Sequence, residues 1–391
     1  MTQLTAFRNS THLGVKIRAP SVPVAKPINL ALLVDTSGSM EGERLDAVKR
    51  TLHAARGLFC PDDQLTMVTF DDGATVIADH LRMDLQQFYA AVDNVQAKGS
   101  TNLSAGIEKL LVLQKEPYDA IMVLTDGHIN RGIVSMVGLR SMMFGVGHFP
   151  ITAIGYGADH NRVLLRHLAT SSRGAYVFVD SESILPVALG DMIGGLRTEL
   201  YKDAILRVPD GWVCCENDGV DASYRLGNIV PDRDYWVVFE KCNDTECSSI
   251  TLTAGVSVIA ETDRIMVSDC QDLHEQVLRC RVAKAIVVAS DLMEQMRPIG
   301  PEIAALVEEF KALPESMLNR PLVLRMQAQL VEILDAGPSG PTAALLARMS
   351  SGGAYLSTQR GVSCVSDPQC HTFSSPSQRA ASQHVQTQSV Q

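Results

Sequence analysis

The sequence predicts an α/β protein: a doubly wound, mostly parallel sheet, then an antiparallel β domain, then a helical region. Three observations carry this expectation. From residue 28 to about 197, short apolar runs alternate with segments of helical periodicity. Between 200 and 265 the helical periodicity stops, and strand-sized segments are separated by Pro, Asp and Gly. Beyond 266, apolar residues recur at spacings of three and four.

Ile28 to Val34 is nearly all apolar, as expected of a central strand buried on both faces. Leu45, Val48, Leu52, Ala55 and Phe59 then form one helical face, with Arg44, Lys49, Arg50 and Arg56 on the others. Strands are expected at Gln64–Phe70 and Ala74–Ile77, joined by the turn Asp71-Asp72-Gly73, where Asp is expected for backbone reasons alone. Helices follow at Asp84–Val95 and Leu103–Leu113. Further strands are expected at Ala120–Leu124, Ile151–Ile154 and Ala175–Val179, with helices near Asn161–Thr170 and Ser183–Leu196. The β segment offers Ala204–Val208, Tyr235–Phe239, Ser249–Thr253 and Val256–Ala260. In the helical region, Leu278, Val282 and Ala285, then Ile303, Leu306 and Phe310, then Leu324, Ala328 and Val331 mark three packing faces. Asn319 is expected to cap the last of these, with Pro321 in its first turn and Gly337-Pro338 at its end.

The expected organisation is an N-terminal segment over 1–27, a doubly wound domain over 28–197, a β domain over 198–265, a helical region over 266–355 and a tail over 356–391. Val15–Ala19 has strand character and is expected to pair with the β domain. From Ser363 periodicity is lost, and thirteen of the last 29 residues are Ser or Gln. Such a stretch buries too little apolar surface to offset its conformational entropy, so disorder is expected.

Of 391 residues, 46% are hydrophobic and 20% charged, an ordinary globular balance, and the net charge is −10. An acidic chain is a poor match for phosphate, so neither nucleic acid nor a membrane surface is an expected partner. The N-terminus lacks a basic start and a long apolar run, and no segment is long enough to span a bilayer; a cytoplasmic location is expected. The nine cysteines are scattered. Neither Cys242 with Cys247 nor Cys364 with Cys370 and His371 has a zinc-knuckle spacing, so reduced thiols are expected.

The chemistry-bearing residues sit where an open parallel sheet binds ligands, beyond the carboxyl ends of its strands. The first strand runs into Asp35-Thr36-Ser37-Gly38-Ser39, which offers the oxygens of Asp35, Ser37 and Ser39. Lys98-Gly99-Ser100-Thr101-Asn102-Leu103 adds the hydroxyl of Thr101, and Leu124-Thr125-Asp126-Gly127 ends a strand on the carboxylate of Asp126. Two carboxylates and three hydroxyls suit a hard cation, Mg2+ or Mn2+.

These three elements resemble the metal-ion-dependent adhesion site of von Willebrand factor A domains, with all five positions filled. The resemblance covers about residues 28–197. It implies a doubly wound fold in which Ser37, Ser39 and Thr101 approach the ion and Asp35 and Asp126 act directly or through water. Leu226-Gly227-Asn228-Ile229, Tyr235-Trp236-Val237-Val238-Phe239 and the stretch Arg279 to Met296 are similar to segments that follow the A domain in plant, bacterial and viral intracellular members. Plant members are ubiquitin ligases with a RING finger. The residues before the first strand contain no cysteine, so that activity does not carry over.

The expected function is metal-dependent protein binding, as an adaptor, with the ion coordinating an Asp or Glu carboxylate of a protein partner. The alternative is an accessory subunit of a larger machine driven by an ATPase. A metal-dependent hydrolase is disfavoured, because no base is tied to Ser37 and His128 is expected only to shape the rim. Oligomeric state and the partner's identity are not legible in the sequence.

Overall fold

The computed structural model describes residues 1–21, 26–82, 85–127, 129–146, 150–158, 160–179, 184–216, 222–243, 246–268, 270–295, 297–299, 301–336, 343–359 and 373–390. It divides into two compact units, Met1–Val24 with Thr198–Gln359, and Ala25–Arg197 with Arg360–Gln391. The chain opens on an antiparallel hairpin of β1 (Gln3–Arg8) and β2 (His12–Arg18). Its turn is organised by Asn9, whose Oδ1 accepts the backbone N–H of Thr11 at 3.0 Å and of His12 at 2.7 Å.

The second unit is built in chain order from β3 (Asn29–Asp35), α1 (Glu43–Ala54), β4 (Gln64–Phe70), β5 (Ala74–Arg82), α2 (Leu85–Asp93), α3 (Leu103–Leu113), β6 (Ala120–Thr125), α4 (Met136–Val146), β7 (Ile151–Tyr156), α5 (Arg162–Ser171), β8 (Ala175–Val179) and α6 (Ile184–Arg197). The sheet order is β5-β4-β3-β6-β7-β8, parallel except for β5, which runs antiparallel to β4. The apolar run of β3 has a simple cause. Leu30, Leu32 and Val34 enter one core with α1 and α6, while Ala31 and Leu33 enter another with α3 and α5. The strand β5 runs five residues beyond the expected Ile77, and α4 answers to no sequence expectation. Helix α5 starts where expected because Asn161 Oδ1 accepts the Leu164 N–H at 3.1 Å.

The first unit adds β9 (Tyr201–Arg207), β10 (Trp212–Cys214), β11 (Ser223–Ile229), β12 (Asp234–Lys241), β13 (Ile250–Ala254), β14 (Ser257–Thr262) and β15 (Ile265–Val267). They form two sheets, β10-β12-β2-β1-β15 and β11-β9-β13-β14. Residues of both sheets, including Val15, Ile17, Leu206, Trp212, Val237 and Leu252, share one core. Strand β2 pairs in full register with β12, Val15 opposite Val237.

Among the described residues, five helices complete this unit: α7 (Gln271–Glu294), α8 (Pro301–Lys311), α9 (Glu315–Leu318), α10 (Pro321–Asp335) and α11 (Ala343–Thr358). They lie in one unit with the β strands rather than in a separate domain. Arg279 of α7 is buried and donates to Gln276 Oε1 at 2.7 Å, to the Leu356 carbonyl at 2.6 Å and to Glu216. Asn319 does not cap α10. It closes α9, and Arg320 precedes the first-turn Pro321. The expected stop at Gly337-Pro338 lies outside the described residues.

The expectation of a disordered tail is corrected over Pro376–Val390, which forms helix α12 in the second unit. Glycines allow it. A Cβ on Gly190 would sit 2.4 Å from Ser382 Cα, and one on Gly194 2.9 Å from Gln378 Cα, so α6 and α12 approach backbone to backbone. Polar side chains then find partners: Asp191 accepts from Ser374 Oγ and from Gln378 Nε2 at 3.1 Å, and Ser382 Oγ donates to the Val187 carbonyl at 2.9 Å. Residues 360–372, with Cys364, Cys370 and His371, lie outside the described residues. Among the described residues, no helix is long and apolar enough to cross a membrane.

Candidate metal centre

Strand β3 has β4 on one side and β6 on the other, so the chain leaves it in both directions and a crevice opens at its carboxyl end. Asp35 is the last residue of β3 and is fully buried. Its Oδ1 accepts the Ser37 N–H at 2.8 Å, and its Oδ2 accepts the Thr125 hydroxyl of β6 at 2.5 Å. Burial is the main cause that pushes the Asp35 carboxyl up to about 6, and the nearby Asp126 charge adds to it. Hydrogen bonds from Thr125 and Ser37 pull the other way.

Asp126 follows β6 directly and is 1% exposed. Its Oδ1 accepts the Ser39 hydroxyl at 2.7 Å, and Ser39 Oγ lies 3.1 Å from Ser37 Oγ. Its Oδ2 accepts from Arg44 in the first turn of α1, whose Nη1 also lies 3.3 Å from the Ser39 carbonyl. Thr101 is 3% exposed. A Cβ on Gly127 would stand 3.6 Å from both Thr101 Oγ1 and Ser39 Oγ, so the two hydroxyls converge beside Asp126. The structure thus brings Asp35, Ser37, Ser39, Thr101 and Asp126 together from three separated segments.

Backbone bonds hold the three segments in place. Gly38 N–H donates to the Gly99 carbonyl at 3.0 Å, and Lys98 N–H to the Thr36 carbonyl at 2.7 Å. Asn102 caps α3 by accepting the Ala105 N–H at 3.1 Å, which places Thr101 immediately ahead of a rigid element. The N–H groups of Asn130 and Arg131 donate to the Thr101 carbonyl at 3.2 and 3.3 Å, and Asn130 Oδ1 accepts the Thr101 N–H at 3.0 Å.

Sequence reasoning missed several of these residues. Asp71 behaves as a turn residue, its Oδ1 accepting the Gly73 N–H at 3.0 Å. Asp72 does more. Its Oδ1 accepts the Ser100 N–H at 3.2 Å, the Ser100 hydroxyl and the Arg131 guanidinium at 2.7 Å. The Ser100 hydroxyl, ahead of the backbone N–H and Arg131, holds the Asp72 carboxyl below the usual range. Gly99 adopts φ +71°, and a Cβ there would meet Asp72 Oδ2 at 2.8 Å. Neither Arg44 nor Asp72 carries a local pattern that announces these contacts, although Thr125 stands next to Asp126 in the sequence. His128 lies outside the described residues.

The donor set is all oxygen, with two buried carboxylates that a cation would compensate, which is the chemistry of a hard divalent ion. Among the described residues, no group of three or more His, Cys, Asp or Glu is placed to hold a metal ion. The described cysteines are free thiols.

Residues 30–128 match the family model described as von Willebrand factor type A domain. An uncharacterized protein of Synechocystis is 27% identical over 165 residues, covering 40% of this chain and 39% of that one. The inter-alpha-trypsin inhibitor heavy chain H3 of Rattus norvegicus is 26% identical over 212 residues, covering 48% of this chain and 24% of that one. The chain therefore spans well under half the length of these two relatives. Among solved structures, the von Willebrand factor type A protein from Catenulispora acidiphila shares the fold with a TM-score of 0.65 at 15% identity, covering 88% of this chain and 91% of that one. Over residues 30–128 the chain thus matches a von Willebrand factor type A domain, and antiparallel sheets and C-terminal helices accompany that stretch.

Proposed function

We propose that this chain is a metal-dependent protein-binding module, in which Asp35, Ser37, Ser39, Thr101 and Asp126 hold Mg2+ and a partner's carboxylate completes its coordination. The reading is carried by one observation. Two buried carboxylates end adjacent parallel strands, and the Ser39 hydroxyl, linked to that of Ser37, joins the first loop to Asp126.

When bound, the ion supplies a fixed positive charge that attracts an Asp or Glu oxygen. The chain's own residues do the rest. The buried position of Asp35 excludes water, and its bonds to Ser37 and Thr125 fix the carboxylate direction. Ser37 and Ser39 bring neutral oxygens, and the Arg44 guanidinium offsets one of the two carboxylate charges, so a bound divalent ion keeps net positive charge that attracts a further anion. Arg44 places a guanidinium on Asp126 Oδ2, adding positive charge at the same edge. The role proposed is recognition by binding, without bond-breaking chemistry at Ser37.

Calorimetric titration of the full chain with Mg2+ tests this. The wild type should bind, and Asp126→Asn should lose affinity by about tenfold or more, as expected when a metal-site carboxylate is lost. Circular dichroism of the variant should match the wild type. Equal Mg2+ affinity in the two proteins would remove the assignment.

A further inference from the structure

From Asn130 to Val137 the chain is exposed for eight consecutive residues, yet this stretch holds four large aliphatic side chains. Ile133 is 39% exposed, Val134 52%, Met136 37% and Val137 77%. The stretch is anchored at both ends. Ile129 and Leu139 are buried, and Leu139 N–H donates to the Ser135 carbonyl at 3.0 Å as α4 begins. Within it, Ile133 N–H donates to Ser104 Oγ at 3.0 Å, and Ser104 Oγ donates to Asn102 Oδ1 at 2.8 Å. Side chains held outward on an anchored backbone are a built feature. A run of exposed aliphatics is unfavourable in water and marks a contact surface.

This ridge is continuous with the proposed metal site, because the Asn130 and Arg131 N–H groups bind the Thr101 carbonyl. Val134 is three residues beyond Arg131, so it lies no more than about 10 Å from that anchor. Each basic side chain at the same rim stands beside an aspartate: Arg44 on Asp126, Arg131 on Asp72, and Lys98, 76% exposed, 3.9 Å from Asp71. The rim charges are thus balanced, so the cation site supplies the attraction for an acidic group, and with the apolar ridge it defines the chemistry of one occupant.

We infer that Ile133, Val134, Met136 and Val137 seat aliphatic side chains that flank the partner's metal-directed carboxylate, so the partner offers an acidic residue on an extended segment with aliphatic residues two or three positions away. An extended chain advances about 3.3 Å per residue, so two or three residues of a partner span about the same reach as the stretch from the Arg131 anchor to Val134. The inference rests on the metal-dependent binding reading and adds which partner sequence that site selects.

The test uses the full chain, immobilised in Mg2+, to pan a phage-displayed library of random dodecapeptides, with elution by EDTA. Clones released by EDTA should be enriched in Asp or Glu with Ile, Leu, Val or Met two or three positions away. A Val134→Ser/Val137→Ser double variant, whose Mg2+ affinity by calorimetry equals the wild type, should retain those clones at least tenfold less well. Both positions are exposed, so the substitutions leave the core intact. EDTA-released acidic clones without aliphatic neighbours, or clones that bind the double variant as well as the wild type, overturn the ridge and leave the metal reading standing. No EDTA-released clones at all removes both. A wild-type dimer that becomes monomeric in the double variant makes the occupant a second copy of the chain, and overturns the peptide assignment.

Discussion

Asp72 binds Ser100 and Arg131 at once, so it ties the loop carrying Thr101 to the loop that follows Asp126. It touches no candidate ligand directly and acts by holding Thr101 in place. Its neighbour Gly99 has no room for a side chain because Asp72 lies against it. We expect Asp72→Asn to weaken Mg2+ binding by about tenfold, the usual cost of losing a residue that orients metal ligands. The melting temperature should hardly change, since Asp72 is exposed and its ion pair with Arg131 is a surface one. Calorimetry and thermal denaturation read the two effects separately, and unchanged Mg2+ affinity would show that the latch is not needed. The sequence displays Asp72 as an ordinary turn aspartate. Its second role depends on two loops 28 and 59 residues further along the chain, a proximity that local composition does not encode.

Among elements, α12 departs furthest from its composition. Its Ser and Gln residues suggested disorder, and a helix so poor in apolar side chains is not stable alone. It becomes a fixed element because Gly190 and Gly194 let it approach α6, where Val385 is fully buried and Gln378 satisfies Asp191. Removing this segment would expose the face of α6 that it covers and take away the bonds that Asp191 accepts from Ser374 and Gln378. A chain ending at Gln359 should therefore melt about 5 °C or more below the full chain, from roughly 2–3 kcal/mol of lost burial and hydrogen bonding. Gly190→Leu should act in the same direction in the intact chain. Identical melting curves for the truncated and full chains would mean that α12 contributes nothing to stability. Helix α3 is the contrasting case: Asn102 caps it from within its own sequence, so its start was legible.

For the whole molecule, the first unit takes strands from both ends of a 173-residue intervening segment, Ala25–Arg197, and closes one core around them. Strand β2 lies between β1 and β12, so its side chains Leu13, Val15 and Ile17 fill the centre of that core. The chain's two tryptophans, Trp212 and Trp236, both belong to this unit and report on it. Val15→Asp would bury a carboxylate among apolar side chains with no partner, a change that costs several kcal/mol. The midpoint of the tryptophan fluorescence melt should fall by about 10 °C or more, while Mg2+ affinity at low temperature stays that of the wild type. A fluorescence midpoint that did not move would contradict the central place of β2.

What the sequence determined by itself is the mostly parallel sheet and the residues at its edge. The runs Ile28–Val34 and Ala120–Leu124 are almost wholly apolar because each strand feeds two cores, and Asp35, Thr101 and Asp126 end, precede or follow regular elements whose ends are encoded locally. Periodicity and capping are short-range properties, so they can be read without the fold. The tertiary structure alone decided that Arg44 and Thr125 meet the two carboxylates, that Asp72 braces Thr101, and that a Ser/Gln-rich tail packs as a helix. It also decided the short edge strands β10 and β15 and the inner strand β1, which carry little pattern of their own. In each case the deciding energy comes from a contact between residues far apart in the chain, and such a contact leaves no mark on the neighbouring sequence.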